Sequence, residues 1–408
     1  MERMHIHGKN VNMIKAPFRR LDITSFSYRR DQIMLSPYLP TIPTWKRMCS
    51  FGAVVLERKD SLGINLRESK IFQRLDVDPG SFEMEREKPS QWRPVRVACG
   101  WNSTFVVLRS QSDGNADDVI LVMGKENDFG QLGMGKVKKV DEGGGVVQIF
   151  SVRQEECPLR IMNMACGLRH TVIMCKRGNR MQVIGWGAAR HGQLDAQQMD
   201  KYPSTYWTPH LLDEWEVEEA PSHRQGYLAA GKEHSIYCGK DNTLQIIGSN
   251  RQGQRRVASF VFVKEILSAA CTWNATLILL KGSIVGSGNN SKGQLGGFIE
   301  QDGFIEAKLD QVLQGRQDLQ KQISLLTCGS EHSMILVSKG DTQEGGQGEV
   351  WGWGWNEHGN LAQGDQLDQE EPVLLWPSNH HSSVYQNATA TDIWAGCGTS
   401  FIQIQHVR

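Results

Sequence analysis

The chain has 408 residues, with 45 Lys+Arg against 45 Asp+Glu and a formal net charge of zero. That balance excludes bulk electrostatic binding to nucleic acid or an anionic membrane, which needs a basic footprint. Hydrophobic residues at 39% exclude a chain too polar to bury a core, while 42 Gly, and 12 Trp against 7 Tyr, point to short strands and tight turns.

Residues 1–50 hold 9 basic and 3 acidic groups, a local +6, so the remainder carries −6. No apolar run follows the N-terminus as in a secretory signal, and no stretch approaches the ~20 apolar residues of a membrane span. An Arg-rich, acid-poor start fits a mitochondrial transit segment. Gly8-Lys9-Asn10, however, is the first member of a repeat, which assigns the segment to the fold. The expected location is then cytoplasmic, with a nuclear pool also open.

Two signals alternate along the chain. One is an apolar strand ending in Gly-x-Asn-x-x-Gly, often with Gln-Leu after it. The other is a small-residue turn followed by an apolar strand. Ser50–Leu56 and Gly63-Ile64-Asn65 carry them in worn form. Ala98-Cys99-Gly100-Trp101-Asn102-Ser103-Thr104 is the first clear turn, and Asn127–Leu132 the first clear Asn motif. Ala165–Thr171 leads to Gly185–Leu194, where Ala189 stands at the Asn position. Ala230–Ser235 leads to Gly248–Gly253, and Cys271–Thr276 to Gly288–Leu295. Cys328–Ser333 leads to Gly354–Gly359, and Gly396–Ser400 precedes the last strand, Phe401–Ile404. Gly and Asn tolerate positive φ, so the Asn motif is turn chemistry at a strand end.

Each series has seven members, spaced 40 to 67 residues apart. Such a unit of hairpin strands reads as one blade of an all-β propeller. The expectation is a single seven-bladed β-propeller, with 1–90 a degenerate first-blade region and 91–408 the recognisable repeats. It closes where a strand near Met4 to Gly8 pairs with Phe401–Ile404 and leaves no long exposed edge. Gln111–Asp118 and Gly340–Gly348 read as polar hairpin tips. Leu309, Val312, Leu313, Leu319, Ile323 and Leu326 have helix-like spacing and predict a short helix over 309–326.

The nine cysteines include no C-x-x-C pair. Cys99, Cys166, Cys271 and Cys328 share one repeat position, which predicts buried free thiols rather than a disulfide framework. His170, His234 and His332 also share a position on different blades, which predicts structural rather than catalytic or metal-binding roles. Gly130–Lys136 matches a phosphate-loop pattern, yet Val137 offers no hydroxyl for Mg²⁺ and no helix follows. Trp186, Trp351 and Trp353 read as core.

The alternation of Ala-Cys-Gly-x-x-His-Ser/Thr with Trp-Gly-x-Asn-x-x-Gly-Gln-Leu resembles the regulator-of-chromosome-condensation repeat family, over about 90–408 and only weakly before. Trp353–Gly359 after Cys328–His332, with Ala98–Trp101 and Gly167–His170, is similar to the secretion-regulating guanine nucleotide exchange factor branch. It is similar as well to that branch's fungal relative, the alpha-tubulin suppressor that accompanies Elongator and the small zinc protein of diphthamide synthesis. Ala189, Thr272 and Thr399 depart from the pattern, at the Asn, Gly and His positions.

The resemblance implies a binding protein without cofactor, metal or side-chain catalysis. One class is an accessory subunit whose partner is a small zinc protein, serving diphthamide synthesis and Elongator-dependent wobble-uridine modification of tRNA. The other is a guanine nucleotide exchange factor for a small GTPase. Either partner would dock on turns that vary between repeats. Trp101 and Asn102, Trp273 and Asn274, Arg190 and His191, Glu331, and the Trp355, Glu357, His358 turn are the candidate contacts, since Trp and Arg dominate interface hot spots. Packing against a neighbouring blade is the competing role for each aromatic.

Overall fold

A computed structural model of the chain describes residues 92–124, 126–136, 157–195, 202–217, 226–259, 266–281, 283–297, 303–309, 312, 321–339, 348–377 and 388–406, with the strand backbone at 5–6, 9–16, 50–54, 72–76 and 145–147. The motif at Gly63-Ile64-Asn65 and most of the expected tip at Gly340–Gly348 lie outside these residues. The chain divides into two compact units, Met1–Asp22 with Asn250–Arg408, and Ile23–Ser249.

All strand pairings described are antiparallel. At the N-terminus β1 (His5–Ile6) pairs with β2 (Lys9–Ala16). In the Ile23–Ser249 unit β3 (Ser50–Val54) pairs with β4 (Phe72–Asp76). Next, β5 (Trp92–Cys99), β6 (Thr104–Ser110), β7 (Val119–Met123) and β8 (Gly145–Val147) form a meander. So do β9 (Leu159–Cys166), β10 (His170–Arg177), β11 (Arg180–Ala188) and β12 (Thr205–Glu216), followed by the three strands β13 (Leu228–Ala230), β14 (His234–Cys238) and β15 (Leu244–Gly248).

The other unit repeats the plan. Its sheets are β16 (Ile266–Cys271), β17 (Ala275–Leu280), β18 (Ser283–Gly288) and β19 (Ile305–Glu306), then β20 (Lys321–Cys328), β21 (His332–Lys339), β22 (Glu349–Gly354) and β23 (Gln369–Trp376). Finally β24 (Ala388–Ala395) and β25 (Ser400–His406) join the N-terminal strands in the order β1-β2-β25-β24.

N- and C-terminal strands do pair, but not through the segment expected. The partner of β25 is β2, with Val11 opposite Gln405 through Ala16 opposite Ser400. His5 and Ile6 fold back onto Asn10 and Lys9. The longer run offers six ladder positions, which a two-residue strand cannot match.

The helix expected over 309–326 is corrected at its C-terminal end: Ile323 and Leu326 lie in β20. The register shifts between Ile323 and Leu325, a bulge that inserts one residue. Ile323 and Leu326, three apart, therefore both pack on the core while Leu325 is turned out at 37% exposure. A bulged strand has imitated helical spacing. The first strands of four other sheets shift at equivalent places, at Pro94/Arg96, Ile161/Asn163, Ile266/Ser268 and Ala390/Asp392.

The core lies between successive sheets of each unit. Phe105, Val107 and Val122 of one sheet meet Ile161, Ile173 and Trp186 of the next, with the Phe105 and Trp186 rings edge to face at 5.6 Å. In the other unit Leu277 and Leu295 meet Ile335 and Trp353, and Leu336 and Leu375 meet Ile393 and Ile404. Gln111–Asp118 is the β6–β7 hairpin tip, as expected.

Removing residues 1–16 strips β25 of its ladder partner and leaves a bare sheet edge. The truncated protein is expected to aggregate and to melt several degrees lower, as read by size-exclusion chromatography and thermal denaturation; an unchanged profile would contradict the pairing.

Candidate functional site

The turn between the first two strands of each sheet is closed by one short backbone bond. Gly100 N donates to Ser103 O, Gly167 N to His170 O, Gly231 N to His234 O, Thr272 N to Ala275 O, Gly329 N to His332 O and Gly396 N to Thr399 O, all at 2.8–3.0 Å. Space at this turn is minimal. A Cβ on Gly167 would lie 2.4 Å from Gly231 O and 2.1 Å from His170 Cε1.

The repeat histidines bridge sheets. His170 Nε2 lies 2.9 Å from Ser235 Oγ, which itself donates to Gln193 O at 2.9 Å. The hydroxyl proton is thus committed, so Nε2 carries the imidazole proton and Nδ1 is bare. His332 Nε2 lies 3.0 Å from Ser400 Oγ in the same way. Both Nδ1 atoms are buried without a partner, so a second proton would have no acceptor. Burial accordingly pushes His170 down to about 3 and His332 to about 4. The structural role expected of these two holds. Among the described residues no group of three or more His, Cys, Asp and Glu could hold a metal ion.

Asn127 Oδ1 accepts Leu132 N at 3.0 Å and its Nδ2 donates to Gly135 O at 2.9 Å; Asn290 makes the same pair of bonds with Leu295 N and Gly297 O. Gln131, Gln193, Gln254 and Gln294 add a clamp, accepting the N–H of Phe129, His191, Gln252 and Lys292. At Gly293, φ is +73°, and a Cβ would lie 2.6 Å from Glu370 Cα. Where Ala189 replaces Asn, its own N–H bonds Ser204 O at 2.9 Å instead.

The residue before each turn glycine meets the residue before the bridging position on the next sheet. In the Ile23–Ser249 unit Arg169 lies over the Phe129 ring at 3.9 Å, with Arg190 6.0 Å from the same ring. His191 Nε2 is 3.2 Å from Glu233 Oε1. Trp101 is half-buried, and Asn102 donates to the Glu126 carboxylate. Phe129, Arg169 and Glu233 escaped the sequence reading, although their fixed offset from the turn glycine would have found them.

The other unit gathers Glu331, Trp355, Glu357 and His358. Trp355 N donates to Glu331 O at 2.9 Å, and its Nε1 to Glu357 Oε2 at 3.2 Å. The Trp355 and His358 rings stand edge to face at 4.8 Å, and both Glu357 and His358 are exposed. Gly398 makes room there, since a Cβ would lie 2.7 Å from His358 Cδ2. Lys292 pairs with Asp368 at 3.0 Å. Burial raises the Glu331 carboxyl, with Asp368 adding and Lys292 opposing. Trp273 is half-buried, its N–H donating to Ser330 O at 2.8 Å, while Asn274 O accepts Asn289 N at 2.9 Å. Lys292 and Asp368 were also missed.

Trp186 and Trp353 are fully buried, with Nε1 donating to Gln131 O and Gln294 O. The four repeat cysteines are free thiols. As residues they keep partial exposure, yet burial lifts the Cys166 and Cys328 thiols to about 12, which leaves them unreactive near neutral pH. At the opposite strand ends Asp118 is held by Arg109 through two 2.8 Å bonds and by Ile161 N, tying the β6–β7 tip to the next sheet.

Repeated antiparallel sheets, closed turns and bridging histidines define an all-β repeat protein. Residues 347–402 match the regulator of chromosome condensation (RCC1) repeat. The chain is 27% identical over 309 residues to the secretion-regulating guanine nucleotide exchange factor of Bos taurus, covering 68% of this chain and 58% of that protein. It is 27% identical over 294 residues to the ultraviolet-B receptor UVR8 of Arabidopsis thaliana, covering 69% and 58%. The matches thus span under two thirds of either relative's length. Prp20p of Saccharomyces cerevisiae, a structure described with its binding to Gsp1p and histones, superposes with a TM-score of 0.61 at 18% identity, over 89% of this chain and 80% of that one. Human WBSCR16 gives 0.57 at 17%, over 88% and 85%.

Two outcomes follow. A histidine held neutral in the fold binds fewer protons than in the unfolded chain below about pH 6.5. Stability from His170 and His332 is therefore full above that pH and falls below it, toward the folded values, by up to about 1.4 kcal/mol per pH unit for each. Urea midpoints from about pH 7 to pH 5 measure this. Separately, Trp353→Ala is expected to cost ~3–5 kcal/mol of folding stability, and Trp355→Ala under about 1 kcal/mol, read by the same denaturation.

Proposed function

We propose that this chain is a seven-bladed propeller, its ring completed by the β1-β2-β25-β24 sheet, that binds a small GTPase and promotes release of its nucleotide. The observation that carries the reading is the division of labour in the repeat. The bridging histidine recurs at His170 and His332, whereas the turns above them differ: Arg169 and Arg190 at Phe129 in one unit, Glu331, Glu357 and Trp355 in the other. A surface free to vary over a fixed frame suits recognition of a protein. Exchange requires no side-chain chemistry, only tighter binding of the nucleotide-free GTPase than of the loaded one.

The names of the relatives support this choice: an exchange factor, and a propeller described with Gsp1p. The accessory reading, with a small zinc protein as partner, is the rival that the experiment must separate.

The test is release of a fluorescent GDP analogue from a panel of purified small GTPases. At least a tenfold acceleration is expected for one member, with tighter capture of the magnesium-stripped than of the GDP-loaded form, tenfold corresponding to ~1.4 kcal/mol of differential binding. Unchanged release throughout, with a small Cys-rich zinc protein co-purifying from native extract, would replace this reading with the accessory one.

A further inference from the structure

We propose that the turn connecting β22 to β23 is the docking surface for a basic, Arg- and Lys-rich segment of the protein partner. The proposal rests on the protein-binding reading and names the face and the chemistry it selects.

Charge is the first reason. Lys292 is bonded to Asp368 and also feels Glu357 and Glu331, so three carboxylates surround one ammonium. Burial and Asp368 both push Glu331 up, a carboxylate that gains from a further cation. Apolar surface is the second. Leu367, beside Asp368, is 68% exposed, more than any other large hydrophobic residue among those described. The edge-to-face pair of Trp355 and His358 lies on the same turn.

The third reason is an unmet hydrogen bond. Four comparable turns are clamped by Gln131, Gln193, Gln254 or Gln294, each accepting the N–H two residues back at 2.8–2.9 Å. Asn360 occupies this place in the fifth and is one methylene shorter. It donates Nδ2 to Trp355 O instead. Its Oδ1 is left buried with no hydrogen-bond partner. Such an oxygen is costly to bury unpaired and calls for an N–H donor. A guanidinium laid against Trp355 gains a cation–π contact, has five N–H groups to share with Glu331 and Glu357, and on parting the Trp355–His358 edge supplies the donor that Asn360 lacks.

The experiment uses the full chain and fluorescein-labelled octa-arginine, followed by anisotropy at low and physiological salt. Glu331→Gln with Glu357→Gln, and Trp355→Ala, are expected to weaken binding about tenfold or more. Glu214→Gln with Glu216→Gln, on β12, serves as control and should stay within about twofold. The double Gln variant changes charge with little change of shape, which keeps the test decisive if Trp355→Ala misfolds. Wild-type affinity in the rim variants, or equal loss in the control, overturns the proposal. GTPase exchange that survives in variants deaf to the peptide also rejects this surface as the partner's site and leaves the exchange reading standing. Rim-dependent peptide binding without any GTPase response does the reverse.

Discussion

A neutral imidazole buried between two sheets is the contact on which much of this structure depends. His170 reaches Ser235, and Ser235 reaches the carbonyl of Gln193, so one hydrogen-bonded chain joins the bridging turn of one sheet, the next sheet's strand and the Asn-type turn of the first. His332 reaches Ser400 in the same way farther on. Such a chain tolerates little change. The glycine of the bridging turn must lack a side chain, and the imidazole must stay uncharged. The bonded atoms of the chain are then fixed as donor or acceptor, while His170 Nδ1 is left unpaired.

Fixing the sheets from inside frees the turns outside. The buried Trp186 and Trp353 indoles donate to turn carbonyls at Gln131 and Gln294, and Gln294 O also accepts Ser333 Oγ. Glycine and an amide clamp hold the shape of the turns, so neighbouring positions are free to vary. At one offset the chain places Phe129 against Arg169, His191 against Glu233, and His358 against Gly398. The pairing scheme is constant while the chemistry changes from a cation on an aromatic face to an imidazole beside a carboxylate to an imidazole against bare backbone.

Departures from the repeat mark where the frame itself is relaxed. Thr272 and Thr399 leave buried hydroxyls without a hydrogen-bond partner, and Asn360 leaves a buried carbonyl oxygen. Ala189 lacks the Asn side-chain bonds, yet its turn keeps the Gln193 clamp and gains a backbone bond to Ser204. The relaxed turn at Asn360 also carries the half-exposed Trp355 and the exposed Glu357 and His358.

The sequence by itself determined the all-β class, the turn chemistry and the structural place of His170, His332, Trp186 and Trp353. These rest on hydrogen bonds closed within a few residues, or on a repeat that marks equivalent places. Tertiary structure decided the rest. The helix read over 309–326 gives way to strand over 321–326, where a bulge at Ser324 puts Ile323 and Leu326 on one face and so imitates helical spacing. Arg190, His191, Trp355, Glu357 and His358 were visible as aromatic or charged turn residues. Arg169, Lys292, Asp368 and Asn360 gained their meaning only from partners on another sheet or from a carbonyl across the turn, because side-chain chemistry at a surface is set by what the fold brings beside it.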